Sequence, residues 1–117
     1  MSGMVKYMVE VCIRNNECTT FALIINQEKV GSCYTYPSLY VSNAVELWAF
    51  GVRGESRGRG YGQQMLQEVI KYYKTQTIVL FVDKHNERAL HIYQKAGFKI
   101  VGEYRGGKYA WEMRLER

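Results

Sequence analysis

The hydrophobic spacing of this chain changes at a cluster of glycines, and that change limits what the chain can fold into. Up to residue 52, apolar side chains recur at every second position, as they do in strands. Gly51, Gly54, Gly58, Gly60 and Gly62 follow, and beyond them the spacing lengthens to three and four, as on a helix. A chain that leaves strands through glycines and enters a helix has the layout of an α/β domain.

The elements follow from the same pattern. Val5, Tyr7, Val9, Val11 and Ile13 alternate with Lys6, Met8, Glu10, Cys12 and Arg14, which predicts a first strand. Asn15-Asn16 suits a tight turn, because Asn tolerates positive φ. A second strand is predicted over 19–26, a turn at Gln27-Glu28, a third strand over 29–36 ended by Pro37, and a fourth over 44–52. After the glycines, Tyr61, Met65, Val69 and Tyr73 recur at helical spacing beside Leu66 and Ile70. Gln63, Gln64, Gln67, Glu68, Lys71 and Lys74 fill the opposite side, giving an amphipathic helix of about four turns. Residues 78–82 are wholly apolar, as expected of a strand covered on both faces. Asn86 is a good N-cap for a second helix running to Ala96 and ended by Gly97. Two last strands are predicted over 98–104 and 108–115, around Arg105-Gly106-Gly107. The order β-β-β-β-α-β-α-β-β predicts one domain over 1–117. Its sheet is mixed and mostly antiparallel, with helices packed on its faces.

Composition narrows the function classes. A chain of 117 residues with 47% apolar positions supports one core. A charged fraction of 23% with a single proline argues against disorder. No apolar run is long enough to cross a membrane as a helix, and Lys6, Glu10 and Arg14 interrupt any secretory leader. Cys12, Cys18 and Cys33 form no C-x-x-C pair, so neither a zinc site nor a disulfide framework is expected, although Cys12 and Cys18 can meet across a turn. Reduced thiols and a cytoplasmic location are the corresponding expectation. The net charge of +5 is uneven: residues 1–50 carry −1 and residues 51–117 carry +6. The second half is therefore expected to meet an anion, either a phosphate-bearing cofactor or nucleic acid.

The glycine loop is where such an anion fits. Arg57-Gly58-Arg59-Gly60-Tyr61-Gly62 joins a strand to a helix N-terminus, which offers unpaired N–H groups and the positive end of a dipole. Arg53, Arg57 and Arg59 add positive charge. The loop lacks the Gly-Lys-Ser/Thr of a Walker A motif, and its third glycine comes one residue early for a nicotinamide-binding fingerprint. On its own it is a weak signal, also readable as an ordinary glycine-rich turn or, less readily, as an Arg-Gly patch that contacts RNA.

A second motif decides between these readings. The loop resembles the Arg/Gln-x-x-Gly-x-Gly/Ala signature of the GNAT superfamily of acyl-CoA N-acyltransferases. The family's second motif, Asn-x-x-Ala-x-x-x-Tyr-x-x-x-Gly-Phe, is similar to Asn86, Ala89, Tyr93, Gly97 and Phe98 here, and the resemblance extends over about residues 18–115. It implies an acetyl-CoA-dependent N-acetyltransferase acting on a primary amine, by direct attack through a tetrahedral intermediate. It also implies that backbone groups of Phe50, Gly51 and Val52 hold the pantetheine arm. The pyrophosphate is expected on the loop from Arg57 through Gly58, Arg59, Gly60, Tyr61 and Gly62 to Gln63. Asn86 is implied as a contact of the cofactor arm, and Tyr93 as the group facing the leaving sulfur.

The chemistry needs a base, because an amine with a pKa of about 10.4 is neutral roughly once in a few thousand molecules at pH 7. It also needs a donor for the oxyanion, for which a backbone N–H at the end of the fourth strand is the candidate. Glu46 is the candidate base. It is placed on the strand side shared with Trp48, Phe50 and Val52, at a spacing similar to that of the histone-acetylating branch. Other members carry a glutamate at the position of Phe81, which leaves Asp83 and His85 as alternatives here. Glu46 reads equally well as an ordinary strand charge; for Tyr93 a core tyrosine is the lesser alternative, since the motif around it favours the catalytic or cofactor role.

The chain departs from the family pattern in one respect. Family members usually carry two helices between the first and second strands, and Arg14-Asn15-Asn16-Glu17 leaves no room for them. An open acceptor side suits a peptide or protein amine, a small amine stays close behind, and a partner copy in a homodimer is another way to complete the site. The competing readings are a non-catalytic acyl-CoA-binding regulatory module and, least favoured, a nucleic-acid-binding protein. No metal site and no membrane partner are expected.

Overall fold

The computed structural model describes residues 7–13 and 17–117. Val5, Lys6 and the turn predicted at Arg14-Asn15-Asn16 lie outside the described residues. Strands β1 (Tyr7–Ile13), β2 (Thr19–Ile25), β3 (Glu28–Pro37) and β4 (Ala44–Val52) form an antiparallel meander. Ile13 pairs with Thr19, so five residues separate β1 from β2 in the chain. The β2–β3 turn falls on Asn26-Gln27, one residue earlier than the sequence pattern placed it. A two-residue hairpin of type I′ has positive φ at both central positions, as Asn26 (50°) and Gln27 (70°) do.

Beyond the glycine loop come α1 (Tyr61–Tyr72), β5 (Thr77–Asp83), α2 (Glu87–Lys95), β6 (Lys99–Glu103) and β7 (Ala110–Leu115). The sheet order is β1-β2-β3-β4-β5-β7-β6, with β4 and β5 as its parallel pair. The element order matches the one read from the sequence. Helix α1 is shorter than predicted, because Tyr73 already leaves helical geometry and serves as its C-cap. The guanidinium of Arg117 donates to the α1 carbonyl of Ile70 (2.7 Å) and to Lys74 O (3.1 Å), satisfying acceptors that a helix end leaves open.

Both helices cover the same face of the sheet. Met65, Leu66 and Val69 of α1 are fully buried against Phe21 and Leu23 of β2, Leu47 of β4 and Leu80 of β5. Each such side chain contributes about 1.5–3 kcal/mol by leaving water. On α2, Tyr93 joins this core with Phe98 and Met113. The opposite face carries Tyr34, Tyr36, Glu46, Trp48 and Phe81, which touch one another, while α1 and α2 lie on the other face.

One departure in β4 shapes the rest. The register against β3 passes from Ser32↔Gly51 to Tyr34↔Trp48, so β4 spends one residue more than β3 over this stretch. The extra residue sits at Ala49, whose φ is 54°. This is a β-bulge, and it reverses the sidedness of everything after it. Glu46 and Trp48 stay on the helix-free face, whereas Phe50 and Val52 turn onto the helix face and pack on the core. The expectation that all four share one side therefore fails, because strict alternation cannot register an inserted residue. We expect Ala49→Val to destabilise the protein by about 1–2 kcal/mol in urea unfolding, because a β-branched residue tolerates positive φ poorly. Ala49→Gly should be tolerated.

Candidate active site

The parallel pair β4–β5 stays hydrogen-bonded only from Ala44↔Thr77 to Leu47↔Leu80. Past that point β4 runs on to Val52 and β5 to Asp83 without meeting. The gap opens into a cavity of about 720 Å³, bounded by the β4 segment Leu47–Val52, the glycine loop, the start of α1 and one face of α2. The edge of β4 that faces the gap has no strand partner beyond Leu47, so its backbone groups are available to a ligand.

The loop reaches α1 through two glycines in the left-handed region, Gly58 (φ 81°) and Gly60 (φ 80°). Gly60 is the N-cap of α1 and supplies no side chain, so the first-turn N–H groups are left without a side-chain cap. They face the cavity alongside Arg57, whose Nε also donates to Val52 O (3.0 Å) and ties the loop back to β4. Gly62 is needed for closeness: a Cβ there would lie 3.3 Å from Ile92 Cδ1 and 3.9 Å from Phe50 and Val52. This contact brings α1 against α2, where Gln63 Nε2 donates to Ile92 O (3.1 Å).

Helix α2 supplies the other wall. Asn86 Oδ1 accepts from Ala89 N (3.1 Å), the N-cap expected from the sequence, and Asn86, Ala89 and Tyr93 all line the cavity from one helix face. The Tyr93 ring packs at 5.7 Å from Phe50 and 5.9 Å from Phe98, and the residue is 6% exposed. Burial, with the nearby Cys33 as a smaller cause, holds its phenol well above the usual tyrosine value. Burial alone raises the Cys33 thiol to about 12, which keeps that sulfur neutral.

Phe50, Gly51, Val52, Arg57, Gly58, Gly60, Tyr61, Gly62, Gln63, Asn86 and Tyr93 thus line one cavity. Other residues singled out in the sequence stand apart. Arg59 does not line it, and Arg53 is engaged with Glu28, Glu55 and Lys29 O. Glu46 lies on the helix-free face, where its carboxylate accepts from the Ser38 hydroxyl and the Trp48 indole N–H (3.1 Å each). His85 lies outside the lining, while Asp83 is within it and accepts from His85 N (2.7 Å). Arg88 was missed. It adds a cation to the first turn of α2, between Asn86 and Ala89 of the motif, and that position was the available signal.

Comparison with known proteins places this architecture. The model of the acetyltransferase (GNAT) family matches residues 3–98. The chain belongs to the GNAT family. Among curated relatives, a 5-NmdU N-acetyltransferase of Pseudomonas phage PaMx11 is 32% identical over 62 residues, 53% of this chain and 44% of the relative. The N-alpha-acetyltransferase RimI of Mycobacterium tuberculosis is 33% identical over 57 residues, 49% of this chain and 36% of the relative. The chain thus spans less than half the length of these two GNAT relatives. Among solved structures, an acetyltransferase of Thermus thermophilus superposes with a TM-score of 0.76 at 23% identity, covering 87% of this chain and 66% of the other. An N-acetyltransferase of Thermoplasma acidophilum in complex with coenzyme A gives 0.73 at 18% identity, covering 86% and 62%.

Contact between the two helices makes this GNAT cavity sensitive to one substitution. Gly62→Val should wedge α1 from α2 and cost about 1–3 kcal/mol in urea unfolding. Faster hydrogen exchange in α2 than in β2 would locate the damage.

Proposed function

We propose that the chain transfers an acetyl group from acetyl-CoA to a primary amine. One observation carries this reading: the cavity at the splayed β4–β5 ends joins an anion-accepting helix N-terminus to a buried tyrosine hydroxyl. The uncapped first turn of α1 and the guanidiniums of Arg57 and Arg88 suit the pyrophosphate of a coenzyme A. The free edge of β4 suits the amides of its pantetheine arm, which would add like a short strand. Acetyl-CoA would supply the activated carbonyl, and every other part of the reaction falls to the protein.

The amine nitrogen bonds to the carbonyl carbon as the carbon–sulfur bond breaks. Backbone N–H groups on the unpaired end of β4 stabilise the charge that develops on the carbonyl oxygen. Tyr93 gives its proton to the departing sulfur, a role that requires the phenol to be protonated beforehand. The acceptor ammonium loses one proton toward Asp83, the carboxylate among the cavity-lining residues, before it attacks; the second proton leaves the nitrogen as the amide forms and, through solvent, restores the Tyr93 phenol. The relatives' names cover different acceptors, 5-NmdU in the phage protein and spermidine in a structural neighbour, so likeness alone selects none of them.

Calorimetry tests the donor half. Acetyl-CoA should bind the wild type with micromolar affinity. Gly60→Glu should abolish binding, because a carboxylate there repels the pyrophosphate and must also adopt positive φ. Absence of binding to the wild type would overturn the reading.

Kinetics test the chemistry. Tyr93→Phe should lower kcat by about 10²–10⁴ while acetyl-CoA still binds, and unchanged turnover would remove Tyr93 from the mechanism. The pH profile has a definite sign. A proton donor with a raised pKa stays protonated as pH rises, so kcat/KM should climb with deprotonation of the acceptor amine. It should not fall on account of Tyr93 before about pH 10.

A further inference from the structure

The helix-free face carries a buried carboxylate with no cation beside it. Glu46 is 5% exposed, and the groups that donate to it, Ser38 and Trp48, are neutral. Tyr36 is a further neutral group: its phenol is pushed above the ordinary tyrosine value by burial, then by the charge of Glu46. Among the described residues, no Lys, Arg or His nitrogen lies within 4 Å of the carboxylate. Arg114, two strands away on this face, is paired with Glu112 at 2.7 Å. Buried carboxylates are ordinarily paired, so Glu46 is a half-site.

Aromatic rings surround it. Tyr36 and Trp48 lie nearly parallel, 7° apart with centroids at 6.3 Å, and Trp48 meets Phe81 at 5.2 Å. Hydrogen bonding to the carboxylate holds Trp48, and Tyr36 stands directly opposite Glu46 in the strand register. The row is continuous with the reaction cavity, because Trp48 and Phe81 line it. This face already seats one cation on a ring: the Arg105 guanidinium lies 5.3 Å over Tyr104, whose ring meets Phe81 at 4.2 Å, tilted by 43°.

We propose that the helix-free face receives the acceptor, and that the acceptor is an aliphatic di- or polyamine. One nitrogen enters the cavity to react. A second, still an alkylammonium, rests on the Tyr36–Trp48 rings against Glu46. The carboxylate thus binds the distal charge rather than abstracting the proton. Glu46 and the indole that lines the cavity are two residues apart, on the order of 7 Å along a strand, which a short alkyl chain spans. This inference rests on the acyl-transfer reading above.

The test compares diaminobutane with aminobutanol, which has the same chain length but a neutral far end. Thiol release from acetyl-CoA is followed with wild type and Glu46→Gln. In the wild type the diamine should show a KM at least about tenfold below that of the amino alcohol. Glu46→Gln should bring the ratio to about one by raising the diamine KM. Equal KM values in the wild type would overturn the proposal without reference to any variant. So would a Glu46→Gln protein that loses kcat equally on both amines and keeps the KM ratio, because Glu46 would then act in proton transfer.

If neither amine is acetylated while acetyl-CoA binds, the di- or polyamine acceptor is overturned while acyl transfer to another amine stands, and the cation site is decided separately. In a Trp111→Phe protein, whose indole emission comes from Trp48, diaminobutane should quench fluorescence saturably, and Glu46→Gln should abolish that response. An emission indifferent to the diamine would overturn the site.

Discussion

An alanine held at φ 54° in the middle of β4 costs on the order of 1–2 kcal/mol, and the site depends on it. The inserted residue turns Phe50 and Val52 onto the helix face, where they pack beside Gly62 and Tyr93. It coincides with the point where β4 and β5 part, so a parallel pair that would otherwise close becomes a cleft. Packing of the two turned side chains is what offsets the strain. Removing either would leave the bulge with a cost and no return.

Helix α1 links that cleft to the core. Its middle is fixed by Met65, Leu66 and Val69, none of them exposed, so its first turn can present bare N–H groups without fraying. The same rigidity explains why Gly62 has to be small. A helix anchored this firmly cannot retreat from Ile92, so the contact with α2 is set by backbone approach. The loop supplies conformational freedom at Gly58 and Gly60, and the helix beyond supplies none.

Much of this was legible in the sequence, for reasons that particular residues make plain. Alternation at β2 and β3 and helical spacing from Tyr61 to Ile70 are local signals, and they yielded the right elements in the right order. The glycine loop and the Asn86-to-Phe98 motif marked residues that the fold brings to one cavity. The bulge at Ala49 was not legible, because alanine carries no mark of positive φ and the register shift is a property of two strands. The surroundings of Glu46 were hidden for the same reason: its partner Ser38 lies across a strand pair, and Trp48 shares its side only up to the bulge. Arg53 was misplaced because a basic residue beside a glycine loop reads as a phosphate contact, whereas the fold sets Glu28 and Glu55 next to it.

Arg117 changes how α1 looks from a distance. An isolated helix is a dipole whose two ends cancel beyond a few turns, each equivalent to about half an elementary charge. Here the guanidinium sits on the carbonyl end, at Ile70 and Lys74, and more than offsets the half charge of the negative pole, while the amide end has no acid in its first turn. What remains is a net positive charge rather than a dipole, with one positive end at the mouth of the cleft. The field of a monopole decays with distance more slowly than that of a dipole, so an approaching polyanion is drawn toward the loop before it touches any side chain there.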